Sequence, residues 1–270
     1  MKNVFKFGAM ALGLAALMSQ SAHAASSWNV QFSGTGANDS LGDPIATTSY
    51  TNGGVTATLS GAYATNGTSN TGFSGTWTTS GAAATVNYYS GYGLGMDSDG
   101  NQAPNHAIDN NGNTEAILLH FSTPVVLSQL GLGYISGDAD VSVLAYSGSA
   151  TNPLSGVTAA NTLTTTGWSL VGNYANLTVD TTNPYTSVNS SNTASSWWLI
   201  SAYNTAFGSA CANCTQQNGY TLSEGNDYFK IFAVAGTTPT TGKTPEPGSL
   251  ALAGVALVGA VWTRRRNRKA

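Results

Sequence analysis

Short hydrophobic runs bounded by glycine, asparagine or proline recur along the central part of this 270-residue chain. Several runs alternate apolar with small or polar residues, and this period of two is typical of a strand with one buried face. The runs are also rich in β-branched and aromatic residues, as strands are. The predicted strands cover residues 28–33, 55–63, 73–79, 83–89, 116–121, 125–135, 141–146, 168–175, 197–203 and 228–235. The pattern predicts an all-β domain over residues 25–236, a two-sheet sandwich or jelly roll of about ten strands.

Two segments of the central part depart from this pattern. Residues 152–163 predict a short helix, because Pro153 suits a first helical turn, although Gly156 weakens it. Residues 237–244 have no apolar periodicity and predict a flexible linker.

The N-terminus has the three parts of a secretion signal. Lys2 and Lys6 precede an apolar stretch at residues 7–18, which is shorter than the about 20 residues that span a bilayer. Ala22 and Ala24 then flank one residue in the small-x-small pattern that signal peptidase cleaves. We expect residues 1–24 to be a signal peptide cut after Ala24, with an uncleaved membrane anchor as the alternative.

The C-terminus has a three-part layout of its own. Pro245, Glu246 and Pro247 precede an apolar stretch at residues 248–263, which predicts a single hydrophobic helix. At 1.5 Å per residue, about fifteen residues give a helix of roughly 23 Å, which is marginal for a hydrocarbon core of about 30 Å. The basic cluster that follows should stay in the cytoplasm by the positive-inside rule, and it consists of Arg264, Arg265, Arg266 and Arg268. A sorting tail and an ordinary single-pass anchor both fit this layout.

The central part of the chain is acidic, although the overall formal charge is only −3. Residues 25–243 contain two lysines, no arginine and eleven acidic residues, which gives a formal charge of −9. Nucleic-acid binding by this part is excluded, because phosphate contacts need a basic face. Divalent cations and neutral polysaccharides are the partners that such a charge allows.

The most polar stretch, residues 96–115, offers oxygen ligands at alternate positions. Ca²⁺ binds six to eight such oxygens, so calcium is the one cofactor that the sequence suggests. A solvated turn is the alternative, because Asn, Asp and Gly favour turns by themselves. The candidate calcium ligands are Asp97, Asp99, Asp109, Asn111, Asn113 and Glu115.

Other acidic residues raise the question of catalysis. Asp138 and Asp140, with Glu115 or Glu224, could form the carboxylate pair of a glycoside hydrolase. A place in the turn between two strands explains the two aspartates more simply, and no spacing designates an acid and a base. The sequence therefore predicts a protein that is not an enzyme, without catalytic residues.

Cysteine and tryptophan supply two further candidates. Cys211 and Cys214 should form a local disulfide, because the chain is exported. Trp197 and Trp198 are adjacent in a predicted strand, so one should face inward and the other outward. The outward indole is a candidate platform for stacking on a sugar ring. His120 lies within a predicted strand and is expected to be a face residue.

The C-terminal layout resembles the PEP-CTERM sorting signal, the exosortase substrate tail of Gram-negative bacteria. The resemblance rests on the Pro245–Pro247 motif, the short apolar helix and the arginine cluster occurring together. It implies recognition by a membrane-embedded exosortase, transient insertion of the helix in the inner membrane and processing near the motif. It also implies delivery to the cell surface, outer membrane or extracellular matrix.

The central part also resembles one family of exosortase-dependent surface proteins. The resembling segments are residues 104–110, 138–146, 167–168, 198–204 and 228–231. The family has no assigned chemistry, so the resemblance implies no catalytic residues.

Three hypotheses for the function follow. The first is a non-enzymatic surface or matrix protein associated with exopolysaccharide or biofilm, with signal peptidase and exosortase as partners during export. The second is a calcium-stabilised carbohydrate-binding module, and the third is a hydrolase that uses the acids named above.

Overall fold

The computed structural model describes residues 25–239 apart from residues 34–42, 45–47, 101–103, 105, 160–161, 163–165, 181–182 and 215–220. Residues Ala25–Pro239 form one compact unit. The predicted signal peptide and the predicted sorting tail lie outside the described residues. Within the described part of the chain, no helix has the length and hydrophobicity needed to cross a membrane.

The fold is all-β, as the alternating pattern predicted. The strands, numbered β1 to β13 in chain order, are Ser27–Gln31, Asp43–Pro44, Ser49–Asn52, Val55–Thr65, Asn87–Tyr89, Gly93–Gly95, Ile108–Asp109, Asn113–Ile135, Val141–Tyr146, Trp168–Tyr174, Tyr185–Ser187, Ser195–Ala202 and Tyr228–Thr237.

The strands form one continuous antiparallel network that β8 divides into two halves. In the first half the strand order is β3-β4-β8-β12-β9-β10. In the second half β8 pairs with β11 and β13, and β13 pairs in turn with β1, β6 and β7. β8 belongs to both halves because it has 23 residues.

The sequence predicted two strands where β8 is one. Phe121 still pairs with Ala57 of β4, whereas Val126 pairs with Thr237 of β13. Pro124 lies between these two positions, and a proline cannot donate a hydrogen bond to a ladder. Val125 still pairs with Ser195 of β12, so the change of partner follows one residue after the proline, and the strand continues through it.

Two hydrophobic clusters lie on opposite faces of the first half. The main core combines side chains of both halves, such as Leu119 and Trp198 of the first with Phe229 of the second. The second cluster covers the outer face of β4, β8, β9 and β12, and Leu118 and Leu199 belong to it. Because both faces of β9 are covered, all its residues are buried.

Three local predictions are wrong. Residues 73–79 form no ladder strand; they make isolated bridges and place Phe73 and Trp77 on the second cluster. Of residues 83–89, only Asn87–Tyr89 are a strand. Residues 152–156 form turns instead of a helix, with Gly156 at a φ of +70° that interrupts any helical run.

The two ends of the compact unit lie side by side. β1 pairs with the end of β13, and Ser27 faces Thr237. The backbone of Ser26 accepts a 3.0 Å hydrogen bond from Thr238. Trp28 anchors β1 in the core, with its ring 4.9 Å from that of Phe121.

Candidate functional site

Most acidic side chains of the described chain gather at one end of the sheet, where β8, β9 and β13 begin. Segments that are far apart in sequence supply them, because antiparallel neighbours bring the start of one strand to the end of another. We call this region the acidic end, and its members are Asp97, Asp99, Asp109, Glu115, Asp138, Asp140 and Asp227.

Asp138, Asp140 and Asp227 form the tightest group of the acidic end. One carboxylate oxygen of each lies within 4.8 Å of the other two. The Asp140 carboxylate accepts hydrogen bonds from the backbone N–H groups of Asn176 at 2.8 Å and Ser223 at 2.6 Å. Asp140 and Asp227 are fully buried, whereas Asp138 is half-buried.

The Asp227 carboxylate is held from two sides. It accepts a 2.7 Å hydrogen bond from the backbone N–H of Asp140 and a 2.5 Å hydrogen bond from Nδ2 of Asn110. Burial raises the pKa of Asp227 to about 9, and the neighbouring Asp140 carboxylate adds to the rise. Burial also raises the pKa of Asp140 to about 6, although its two backbone donors oppose the change.

Asp109 and Glu115 form a second buried pair. The Glu115 carboxylate accepts hydrogen bonds from the backbone N–H of Ser98 at 2.6 Å and of Asp109 at 3.3 Å. Burial, followed by the charge of Asp109, holds the pKa of Glu115 well above its usual range. Burial raises the pKa of Asp109 to about 8, with repulsion from Asp99 and Asp97 as further causes.

A tight turn shapes the approach of Asp99 to this pair. Gly112 has a φ of +88°, and a Cβ there would lie 2.5 Å from Oδ2 of Asp99. The backbone conformation therefore favours glycine, and a larger residue would also displace the Asp99 carboxylate.

The six predicted calcium ligands share this region, and no three of the four carboxylates among them, all of which lie within the described chain, are close enough together to form a group around one ion. Asn111 donates a 3.2 Å hydrogen bond to the hydroxyl of Tyr228, and Asn113 donates to Ser98 Oγ at 3.0 Å. Their amide nitrogens are therefore engaged with protein groups. Among the described residues, three carboxylates at separations suited to one ion occur in the group of Asp138, Asp140 and Asp227.

Sequence reasoning did not find Asn110, which connects the strands at the acidic end. Its Nδ2 donates to the backbone carbonyl of Tyr203 at 2.8 Å as well as to Asp227. Its Oδ1 accepts a 3.1 Å hydrogen bond from the backbone N–H of Asp227. The residue is fully buried, and no pattern in the local sequence distinguishes it from an ordinary turn asparagine.

The acids considered for hydrolysis differ in their surroundings. A cavity of about 370 Å³ lies at the acidic end, and Asp138 is the acid of this set that lines it. Both carboxylate oxygens of buried Asp140 bind backbone N–H groups, and Glu224 accepts a hydrogen bond from the backbone N–H of Thr205.

Lys230 is the one lysine within the described residues, and its side chain is buried. Its Nζ lies 4.1 Å from the ring centroid of Tyr89 and 4.2 Å from that of Tyr134. Burial lowers the pKa of Lys230 to about 8. His106 stacks on the Tyr89 ring, and its Nδ1 lies 3.3 Å from Oδ2 of Asp97.

The structure joins Cys211 and Cys214 in a disulfide. The turn between them lies along β10: Ala212 N–H donates to the carbonyl of Asn173 at 2.7 Å. The Asn213 side chain also exchanges two hydrogen bonds with the backbone of Ala175, at 2.7 and 3.0 Å.

The adjacent tryptophans point to opposite faces. Trp198 is fully buried in the main core, so it offers no surface for a ligand. Trp197 is half-buried on the outer face, where its ring stacks on that of His120 at 4.0 Å and an interplanar angle of 19°. His120 is thus a face residue of β8.

A model of the PEP-CTERM protein-sorting motif matches residues 243–266. The match includes Pro245, Glu246, Pro247 and the first three arginines of the basic cluster, whereas Arg268 lies just beyond it. These residues lie outside the described part of the chain, as do Ala22 and Ala24 of the predicted cleavage site. No curated protein and no solved structure matches the chain.

Proposed function

We propose that this chain, which carries a PEP-CTERM protein-sorting motif, is a structural, non-enzymatic protein of the cell surface or extracellular matrix that associates with exopolysaccharide. The motif carries the proposal, because it indicates an exported protein of a Gram-negative bacterium that an exosortase sorts. The residues after the motif hold the chain in the inner membrane until the exosortase acts, and signal peptidase removes residues 1–24.

The chemistry of the described chain supports a structural role. The buried carboxylates bind backbone N–H groups and an asparagine amide, and such contacts position loops. The acid that lines the cavity, Asp138, has no second acid opposite it there. Glycoside hydrolysis needs two carboxyl groups on either side of a sugar.

Deletion of Pro245–Pro247 tests the sorting step. The variant should stay in the inner-membrane fraction, because the exosortase no longer recognises it, and the extracellular matrix should lose both the protein and part of its retained polysaccharide. Deletion of residues 240–242, which lie just before the matched region, is the control and should leave delivery unchanged. Equal surface delivery of the motif deletion and the wild type would refute the proposal.

A second candidate function is a carbohydrate-binding module in which calcium neutralises the buried carboxylates. The half-exposed, stacked pair of Trp197 and His120 favours it, because aromatic side chains that carry a polar group suit sugar rings.

A further inference from the structure

One row of paired residues runs across the outer face of the first half of the sheet. In an antiparallel sheet, directly paired residues have their side chains on the same face. Trp197 of β12 pairs with His120 of β8 on one side and with Tyr146 of β9 on the other. In strand order, the row consists of Ser49, Thr58, His120, Trp197, Tyr146 and Trp168.

Burial increases along this row from one end to the other. Tyr146 and Trp168 are buried, since the chain at residues 150–153 lies over them. The Tyr146 hydroxyl accepts a 3.1 Å hydrogen bond from Ala150, and Trp168 Nε1 donates a 3.0 Å hydrogen bond to the carbonyl of Pro153. The pair of His120 and Trp197, which comes next in the row, is half-exposed.

Beyond the stacked pair, the outer face of β3 and β4 carries hydroxyl groups. The exposed side chains there are Ser49, Thr51, Thr58 and Ser60, with Ser122 of β8 beside them. We call this surface, together with His120 and Trp197, the hydroxyl face. None of the described side chains that define this face is acidic or is a lysine or arginine.

The stacked pair has polar atoms available to a ligand. Within the described chain, neither Trp197 Nε1 nor the ring nitrogens of His120 form a hydrogen bond with a protein group. The Thr58 hydroxyl makes one long hydrogen bond, 3.3 Å, to the carbonyl of His120. Indole and imidazole nitrogens and hydroxyls together offer both donors and acceptors.

These properties indicate which class of molecule can bind the hydroxyl face. A charged polymer would lose its hydration without gaining an ion pair, and a polyanion would also be repelled by the net charge of −9 of residues 25–243. A protein partner would need a larger apolar patch than two half-exposed rings provide. Sugar hydroxyls both donate and accept hydrogen bonds, and the C–H groups of a sugar pack against aromatic rings.

The geometry points to the hydroxyl face as a binding site for a neutral polysaccharide, with His120 and Trp197 as the anchor and Thr58 and Ser60 as the floor. The inference rests on the proposed delivery to the cell surface, where such polymers lie outside the cell. The proposed structural role requires a polysaccharide partner, and the hydroxyl face indicates that this partner is neutral.

Binding of the exported protein, recovered from the surface of the producing cells, to defined polymers tests this site. Dextran, galactomannan and hydroxyethyl cellulose are the neutral probes and alginate is the anionic probe, each measured by affinity gel electrophoresis. We expect at least one neutral polymer to bind and alginate to bind at least tenfold more weakly. Lack of binding to all three neutral polymers, or equal binding to alginate, would overturn the inference.

Two substitutions locate the site. Trp197→Ala should weaken binding at least tenfold, and Thr58→Arg should do the same by placing a long charged side chain over the exposed floor. Thr58→Arg removes no buried group, so it remains informative if Trp197→Ala fails to fold. The matched controls are Tyr92→Ala, which removes another exposed aromatic ring, and Gln31→Arg, which adds the same charge at an exposed position of β1.

Both controls should bind as the wild type does, and wild-type affinity in Thr58→Arg would contradict the site. Fractionation of the same cells separates the two proposals. If the variants Trp197→Ala and Thr58→Arg reach the surface but lose binding, the result supports the binding site on the hydroxyl face and leaves the proposed sorting untouched. Wild-type protein that never reaches the surface contradicts the proposed function.

Discussion

Among single residues, Asp227 shows how the acidic end is built. Its carboxylate accepts hydrogen bonds from Asp140, 87 positions away, and from Asn110, 117 positions away. The sequence identified Asp109 and Glu115 because they stand in an obviously polar stretch. It could not identify Asp227, because the strand pairing that brings its partners together is not written in any local pattern.

The raised pKa values make stability depend on pH. The folded-state pKa values of Asp227, Asp109 and Asp140 are about 9, 8 and 6, whereas an unfolded aspartate has a pKa of about 3.9. Their stabilising contribution is complete below about pH 4 and is lost as the pH rises through the folded values. Between the unfolded and the folded pKa of such a group, each unit by which the pH rises lowers the free energy of unfolding by on the order of 1 kcal/mol.

We therefore predict that the melting temperature falls steadily from about pH 5 to about pH 8 in buffer with a chelator, above which the lowered pKa of Lys230, about 8, opposes the fall. Asp227→Asn cannot ionise, so its melting temperature should fall less steeply between pH 7 and 8. Differential scanning calorimetry across this range makes the measurement. A wild-type melting temperature that rises with pH would contradict the assignment of these buried carboxyl groups.

The same titration in millimolar calcium tests the proposed cation. A bound divalent ion favours ionised carboxylates, so calcium should raise the melting temperature at pH 8 and change it little at pH 5. Identical melting temperatures at pH 8 with calcium and with chelator would show that the carboxylates hold no calcium.

At the scale of elements, the alternating pattern located most long strands but not their partners. β9 lies where it was predicted, at Val141–Tyr146, although all six of its residues are buried rather than those of one face. β8 was divided at Pro124 because a proline ordinarily ends a central strand. Residues 73–79 look like a strand because their aromatic residues pack on the second cluster, although they pair with no ladder.

The disulfide turn is an element that protects a sheet edge. β10 pairs with β9 alone among the described strands, and the turn at residues 211–214 lies along its other side. Exposed strand edges promote pairing between chains, so natural proteins cover them. Asn213 acts here as a substitute for a neighbouring strand.

Replacement of both cysteines by serine should open this turn. The loop closed by the disulfide is short, so we expect the free energy of unfolding to fall by about 2 kcal/mol or less. Hydrogen exchange of the Ala175 and Ala212 amides should accelerate, and Asn213→Ala, which keeps the disulfide, should accelerate Ala175 alone. Unchanged exchange at both amides in the serine variant would show that the disulfide does not hold the turn.

At the scale of the whole molecule, the compact unit is polarised along β13. This strand begins beside Asp227 at the acidic end and finishes at Thr237, where it pairs with β1. Both chain ends of the unit therefore leave it at the end remote from the buried carboxylates.

The sorting motif in residues 243–266 could be identified from the sequence, because a short motif, an apolar run and a basic cluster are local features. The function of the compact unit could not be predicted from the sequence, because its surfaces form only when distant strands pair.

Exosortase sorting can be tested by the intact mass of the protein at the cell surface. We expect a chain that begins at Ala25 and ends close to Pro245–Pro247, without the apolar stretch and the arginine cluster. The same protein from a strain without exosortase should keep its C-terminus and remain in the inner membrane. A surface-delivered chain that still extends to Ala270 would contradict exosortase processing.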